Sequence, residues 1–413
     1  MSLKFKHSFK YAKTLILWVF FACIIGVAGG FLGSLFHYSI DFVTELRNKY
    51  PLIIYTLPIA AIIIAYLYGL NKNQGKIDTN RVIDSILNKK DVPFIMLPLI
   101  FLGSVITHLF GGSAGREGAA LQLGGSLGYN TGKTFRVSED QLYILTLTGM
   151  SSVFSALFGT PLAASIFVIE LVYSKNVSLK AIVPCLMSSI IGFLISLLLG
   201  ISPVRFSVSF MNTMQYEILF KSFFIAIICG FVSILFCFSI RKTETLAKKA
   251  FKSSYIRGLI GGLIVVILTY FVGSYDYNGA GMDVVKFAIS GNAKYEAFIL
   301  KILFTAISVA AGFKGGEIVP AFFVGSTLGC VLSGFIGIDP CLGATVGFIS
   351  LFCGITKCPI ATVILAIEVF GIRGLLLFVL AVIVSYFSSG KESVYEYKKR
   401  HNLITLIKKE DSV

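Results

Sequence analysis

The sequence is poor in charged side chains. They make up 14% of its 413 residues, whereas about 25% is usual in soluble domains. Too few charges remain to cover a soluble globular surface, which excludes that class of protein. Apolar residues make up 56% of the chain, its mean hydropathy is +0.84, and apolar runs of helix length recur from end to end. Because no alternation typical of a membrane barrel is visible, we predict an all-α integral membrane protein that crosses the plasma membrane several times.

Histidine and closely spaced cysteine pairs are scarce as well. The chain has four histidines and eight cysteines, and it contains neither C-x-x-C nor H-E-x-x-H. This argues against a metal site, a disulfide framework and an intramembrane metalloprotease. The segment "GGSAG", Gly111 to Gly115, matches the serine-hydrolase pattern G-x-S-x-G, but no strand-to-helix turn surrounds it. We therefore expect no metal, no cofactor and no enzymatic activity.

The net charge of +15 comes from basic residues concentrated in the polar segments beside the apolar runs. Lysine and arginine at such places follow the positive-inside rule for cytoplasmic segments. No recognition motif accompanies the charge, so we expect no nucleic-acid partner. We assign residues 1–13 to a basic cytoplasmic N-terminus, residues 14–390 to a single membrane domain, and residues 391–413 to a short cytoplasmic tail.

Two segments of the sequence are copies of each other. "GMSSVFSALFGTPLAASIFVIE", which ends at Glu170, matches "GFISLFCGITKCPIATVILAIE", which ends at Glu368, at a constant spacing of 198 residues. Upstream of each copy lies a glycine-rich segment with one glutamate, Glu117 in "GREGAALQLGGSLG" and Glu317 in "KGGEIVPAFFVGSTLG". The chain therefore consists of two related halves, roughly residues 14–200 and 215–390, which we expect to have inverted topology, as in many transporters.

The glycine-rich segments have the composition of helix starts inside a membrane. Such a start exposes free backbone N–H groups at the positive end of the helix dipole, and glycine lets an anion approach them. Because a carboxylate is itself an anion, Glu117 can occupy the site of a transported ion, move out of it, or take up a proton. The alternative is that Glu117 pairs with Arg116 at the water interface. Gly124 and Gly128 also have the spacing of closely packed membrane helices.

On these motifs the sequence resembles the CLC family of chloride channels and proton-coupled anion exchangers. "GREGA", from Gly115, looks like the family's GREGP segment, and "GGEIVP", from Gly315, stands where the family has GxFxP. The copies that end in Glu170 and Glu368 look like the paired helices that follow each. The resemblance implies many tilted and broken helices in two inverted-topology repeats. We expect no CBS domains in the short tail. It also implies a homodimer in the lipid bilayer, with cytoplasmic termini and an anion pathway in each subunit.

Three departures from the chloride-type pattern are similar to the fluoride-exporting branch of the family. The segment GSGIP, with its serine, is replaced by "GKIDTNRVIDSI", which begins at Gly75. No second glutamate closely follows Glu170, and Glu317 stands in the GxFxP position. By this resemblance we expect a fluoride exporter that exchanges the anion for protons. The alternative is a chloride channel or chloride/proton exchanger with divergent motifs.

The resemblance also implies roles for individual residues. Glu117 would be the gating glutamate, which competes with the anion and carries a proton. Tyr395, rather than Tyr397, would coordinate the ion from the C-terminal segment "GKESVYEYKKR". Glu317 would assist proton movement, or else would cap a neighbouring helix.

The inner end of the anion pathway has more than one candidate residue. Thr79 and Asn80 are our candidates for the place of the missing serine, and Asp78 is the alternative. The groups expected to bind the anion, fluoride or chloride, belong to Gly115, Arg116, Gly118, Gly316, Ile318, Val319, Tyr395, Thr79 and Asn80.

Overall fold

The structure, a computed structural model, describes residues 2–70, 78–172, 179–208 and 216–395. Within these ranges the chain forms 16 α-helices, three short 3-10 helices and no strand. The α-helices are α1 (Ser2–Lys49), α2 (Leu57–Gly69), α3 (Thr79–Asn88), α4 (Met96–Leu109), α5 (Glu117–Thr134), α6 (Glu139–Phe158), α7 (Pro161–Leu171), α8 (Ile182–Leu198), α9 (Tyr216–Ala250), α10 (Ser254–Val272), α11 (Met282–Ile289), α12 (Ala297–Ala311), α13 (Ile318–Ile336), α14 (Pro340–Thr356), α15 (Pro359–Phe370) and α16 (Leu375–Ser388). The 3-10 helices are Pro51–Thr56, Leu179–Ala181 and Ile372–Gly374.

Membrane-crossing helices are mixed with shorter apolar ones. Among the described residues, six helical segments are long and apolar enough to cross a membrane: Leu15–Lys49, Pro51–Gly69, Glu139–Phe158, Tyr216–Ala250, Ser254–Val272 and Ile318–Ile336. Further apolar helices of 10–17 residues fall short of the roughly 20 residues that a full crossing needs. This mixture of full-length and interrupted helices confirms the predicted all-α membrane fold.

The duplicated sequence segments have the same local structure. In the first copy α6 ends at the left-handed cap Gly159, with φ 71°, and α7 begins at Pro161. In the second copy α14 ends at the left-handed cap Lys357, with φ 59°, and α15 begins at Pro359. A left-handed residue ends a helix, and proline suits a first helical position because no N–H is needed there. The sequence repeat is therefore also a repeat of local structure.

The described residues fall into two compact units. The first contains the described residues within Met1–His37, Arg81–Leu97 and Ala120–Val204. The second contains those within Tyr38–Asn80, Pro98–Ala119 and Arg205–Val413. Each unit draws on segments that lie far apart in sequence, and the division into repeat halves near residues 200–215 stays a prediction.

In the first unit, α5 and α6 pack backbone against backbone. A Cβ atom on Gly124 would lie 2.2 Å from the carbonyl oxygen of Gly149, and one on Gly128 would lie 2.0 Å from that of Leu145. No larger residue fits at these separations, so glycine is required for the approach of the two helices. The close packing predicted from the spacing of Gly124 and Gly128 is confirmed.

In the second unit, α13 and α14 pack in the same way. A Cβ atom on Gly325 would lie 2.3 Å from the carbonyl oxygen of Gly347, and one on Gly329 would lie 2.0 Å from that of Gly343. Two helices in such close contact have little freedom to shift. The contact holds α13 in place, and with it the helix start at Ile318.

Candidate functional site

Two glycine-rich loops meet in the second unit, just before α5 and α13. The N–H of Gly115 donates to the carbonyl oxygen of Gly316 at 2.7 Å, and the N–H of Gly316 donates back to the carbonyl oxygen of Gly115 at 2.7 Å. One loop leads into Glu117, the first residue of α5, and the other leads into Ile318, the first residue of α13. The two duplicated helix starts are thus tied together by a pair of backbone hydrogen bonds.

Glycine is needed on both sides of this junction. A Cβ atom on Gly118 would lie 2.7 Å from the Cα of Gly316, and one on Gly316 would lie 2.3 Å from the backbone nitrogen of Gly118. A Cβ atom on Gly115 would lie 2.7 Å from the Oε2 atom of Glu117. The absence of side chains therefore lets the two backbones and the carboxylate share one small volume.

The carboxylate of Glu117 lies among backbone N–H groups from both helix starts. Glu117 is 1% exposed. Its Oε2 atom accepts a hydrogen bond from the N–H of Arg116 at 3.0 Å. The backbone N–H groups of Glu117 itself and of Val319, the second residue of α13, also hydrogen-bond the carboxylate. Free N–H groups at helix starts bind anions, and here they hydrogen-bond the side chain of Glu117.

The side chain of Arg116 has two acidic neighbours, Asp41 and Glu117. Its Nη1 atom hydrogen-bonds the Oδ1 atom of Asp41 on α1 at 2.8 Å, whereas its Nε atom is 3.8 Å from the Oε1 atom of Glu117. The ion pair between Arg116 and Glu117 is therefore present, in a place where 14% of the Arg116 side chain and 1% of the Glu117 side chain are exposed. The choice between this pairing and a gating role for Glu117 stays a prediction. Arg116 contributes its backbone N–H to the site, and its guanidinium is held by Asp41.

Glu317 lies at the N-cap of α13, next to the same junction. It is partly buried, and its side chain makes no capping hydrogen bond to α13. The carboxylate hydrogen-bonds its own backbone N–H and is within electrostatic range of Asp78 and Glu244. The choice between a role in proton movement and a role as a cap for a neighbouring helix stays a prediction.

Tyr395 is the C-terminal residue of the described chain and is 4% exposed. Its hydroxyl is within electrostatic range of Glu317, Cys358 and Glu117. A phenol hydroxyl can donate a hydrogen bond to an anion, and the anion-binding role of Tyr395 stays a prediction. Tyr397, the competing candidate, lies outside the described residues.

The three inner candidates are consecutive residues at the start of α3 and directly before it. Thr79 and Asn80 form the start of α3. Asp78, directly before them, is within electrostatic range of Glu317. The choice among the three candidates for the inner site stays a prediction.

Sequence reasoning missed the charged residues around Glu317. Lys314 lies three residues before Glu317, and its Nζ atom is 4.1 Å from the centre of the Tyr68 ring. Asp78 and Glu244 are within electrostatic range of this lysine. The sequence feature that could have indicated this residue is the position of the lysine directly before the glycines of "GGEIVP". A charged residue in that loop lies close to the helix start that the loop leads into.

Comparison with known proteins identifies the family. The family model for voltage gated chloride channels matches residues 59–390. The protein belongs to the CLC family. It is therefore a multi-pass CLC-type anion transporter of the plasma membrane, as the order of its motifs predicted.

Individual CLC proteins match over almost the whole chain. A chloride/fluoride channel protein of Pseudomonas syringae pv. tomato is 29% identical over 389 residues, which cover 92% of this chain and 86% of that protein. The solved structure of a CLC-type fluoride/proton antiporter is 30% identical, with a TM-score of 0.88 and coverage of 93% of this chain and 98% of that one. A slow cyanobacterial Cl⁻/H⁺ antiporter has the same fold at 20% identity, with a TM-score of 0.78 and coverage of 95% and 99%.

Proposed function

We propose that this CLC protein exports fluoride in exchange for protons, with Glu117 as its gate and outer proton carrier. The observation that carries the proposal is the position of the buried Glu117 carboxylate, which is hydrogen-bonded by N–H groups of Arg116 and Val319 from two different helix starts. A halide that replaced a carboxylate oxygen there would have the same donors. Gate and anion therefore compete for one site.

The donor set suits fluoride. Fluoride is small and tightly hydrated, so it leaves water only for compact donors that approach it closely. The backbone N–H groups of Arg116 and Glu117 meet this requirement, because the adjoining residues Gly115 and Gly118 carry no Cβ atom. The N–H groups of Gly115 and Gly316, also expected to bind the anion, instead donate to each other's carbonyl oxygens. The relatives described as a chloride/fluoride channel and a fluoride/proton antiporter, at 29% and 30% identity, support the same choice of ion.

Exchange for protons suits the chemistry of fluoride. Hydrofluoric acid is a weak acid that enters cells as a neutral molecule from acidic surroundings and dissociates inside. Inward proton movement coupled to outward fluoride movement removes the trapped anion. In this cycle the ionised Glu117 blocks the pathway, swings out as it takes up a proton, and leaves its N–H donors to fluoride.

A second carboxylate is assigned to the inner part of the proton route. No second glutamate closely follows Glu170 in this chain. Glu317 is partly buried and within electrostatic range of Asp78, and it lies near the hydroxyl of Tyr395. We assign proton movement to Glu317 and anion coordination to Tyr395, and Thr79 and Asn80 remain the candidates for lining the inner path.

We further propose that the protein is a homodimer in the bilayer with one pathway per subunit. The residues whose backbone N–H groups hydrogen-bond Glu117, namely Arg116, Glu117 itself and Val319, all belong to one compact unit. Large apolar side chains such as Phe42, Phe220 and Ile360 are exposed on the described helices. Lipid and a second copy of the chain are the partners that such surfaces require.

The fluoride assignment predicts a large difference between two halides. In vesicles that contain the purified protein, fluoride efflux is expected to exceed chloride efflux at least about tenfold, which needs a difference of about 1.4 kcal/mol between the barriers. Ion-selective electrodes measure both fluxes, and protein-free vesicles give the leak of hydrofluoric acid. Chloride efflux equal to or faster than fluoride efflux would instead support the chloride channel or exchanger.

A further inference from the structure

Lys357 has an unusual backbone for a buried residue. Among the described residues, the non-glycine residues with positive φ are Lys89, Arg136 and Lys357. Lys89 and Arg136 are exposed, whereas Lys357 is 2% exposed. A left-handed backbone is unfavourable for a residue with a Cβ atom, and burial of an ammonium group adds a second cost. Such an outlier in a buried place indicates a specific role for the side chain.

The equivalent turn in the first copy of the internal repeat has glycine in place of Lys357. Gly159 is the equivalent of Lys357, 198 residues earlier, and both are left-handed caps directly before a proline-initiated helix. Glycine adopts this conformation without strain. The backbone of the turn therefore does not require lysine, and the reason for Lys357 must lie in what its side chain contacts.

The side chain of Lys357 reaches the segment that follows α16. Its Nζ atom donates a hydrogen bond to the Oγ atom of Ser389 and lies 5.6 Å from the centre of the Tyr386 ring. Glu392 is within electrostatic range of the lysine and forms a 2.6 Å ion pair with Arg241. The lysine thus contacts both the end of α16 and the start of the segment that leads to Tyr395.

The same segment is attached to the end of α14 by its backbone. The N–H of Val394 donates to the carbonyl oxygen of Ile355 at 3.0 Å, and the hydroxyl of Ser393 donates to the same oxygen at 2.8 Å. Arg241 also donates to the carbonyl oxygen of Ser393. Ile355 lies two residues before Lys357, so one turn of α14 holds the segment at several points immediately before Tyr395.

We propose that Lys357 is a positioning residue that fixes Tyr395 beside the anion by holding Ser389 through a hydrogen bond. This inference rests on the proposed role of Tyr395 in anion binding. Lys357 acts through the tyrosine and does not touch the ion. Its removal therefore weakens fluoride binding and leaves the fold intact.

The substitution Lys357→Gly removes the ammonium group without straining the backbone, because glycine adopts the left-handed conformation of this turn readily. It therefore tests the side chain alone. We expect the half-saturating fluoride concentration to rise about tenfold, as for the loss of a charged hydrogen bond, with a maximal rate within about twofold of wild type. The melting temperature in detergent is expected to stay level or rise. Lys357→Arg keeps a donor and should restore the fluoride affinity in large part.

A double-mutant cycle with Tyr395→Phe tests whether Lys357 acts through the tyrosine. In the Tyr395→Phe background, Lys357→Gly is expected to change fluoride affinity less than about twofold, because coupled residues are not additive. Effects that simply multiply would overturn the inference. Ser389→Ala should shift the affinity in the same direction as Lys357→Gly and provides a second test.

The two proposals fail in different ways. If Tyr395→Phe leaves fluoride affinity unchanged, the assigned role of Tyr395 is wrong, and the positioning role of Lys357 falls with it. If Tyr395→Phe weakens binding while Lys357→Gly and Ser389→Ala do not, the positioning role alone is wrong.

Discussion

Glu117→Gln is expected to abolish proton movement coupled to fluoride export. Glutamine has nearly the shape of glutamate, but it can neither bind nor release a proton at neutral pH. A positioned proton-transfer group contributes about 100-fold or more to such a step, so coupled proton flux should fall at least that far. The measurement follows a pH-sensitive dye inside vesicles while a fluoride gradient drives exchange.

Glu296→Gln is the matched control for this experiment. Glu296 is an exposed carboxylate directly before α12, and its loss should leave proton flux unchanged. Glu317→Gln gives a comparison inside the site and reports whether the second carboxylate lies on the proton route. Coupled proton flux that persisted in Glu117→Gln at the wild-type rate would remove Glu117 from the mechanism.

Gly316→Ala is expected to reduce transport about 100-fold. The new Cβ atom would lie 2.3 Å from the backbone nitrogen and 2.7 Å from the Cα atom of Gly118. Backbone atoms cannot rotate away from the new methyl group, so the two loops must move apart. A displacement of about 1 Å in a functional site is enough to reduce its rate about 100-fold. The overpacking itself costs about 1–3 kcal/mol of stability. Fluoride efflux from vesicles and thermal melting in detergent measure the two effects.

Gly334→Ala, on the same helix, is the control. A Cβ atom at Gly334 would have no heavy atom within 4 Å, and α13 is a regular helix at this point. Alanine should therefore leave transport unchanged and stabilise the helix by about 0.5–1 kcal/mol. Wild-type fluoride efflux from Gly316→Ala would mean that the contact between the loops does not shape the anion site.

The sequence predicted the parts of the structure that depend on local pattern. The glycine spacing of Gly124 and Gly128 predicted helix packing, and the repeat predicted two related halves, which have equivalent turns before Pro161 and Pro359. Both follow from backbone geometry, which glycine and proline control directly. The placement of Glu117 at a helix start is of the same kind, because the glycine-rich segment around it is itself the signal.

Contacts between distant segments could not be read in the same way. Arg116 adjoins Glu117 in sequence, yet its guanidinium bonds Asp41, 75 residues away. Nothing in the sequence of the second repeat distinguishes Lys357, and only the structure shows its left-handed backbone and its contact with Ser389. Such partners are set by how α1, α14 and α16 pack, and periodicity in one sequence carries no information on that packing.

The paired hydrogen bonds between Gly115 and Gly316 join the two loops through main-chain atoms alone. Because glycine has no side chain to shorten, a substitution at either position cannot remove one of these hydrogen bonds without adding bulk to the junction. Exchange of one of these amides for an ester deletes a single N–H and adds no bulk, and would loosen the junction by one hydrogen bond.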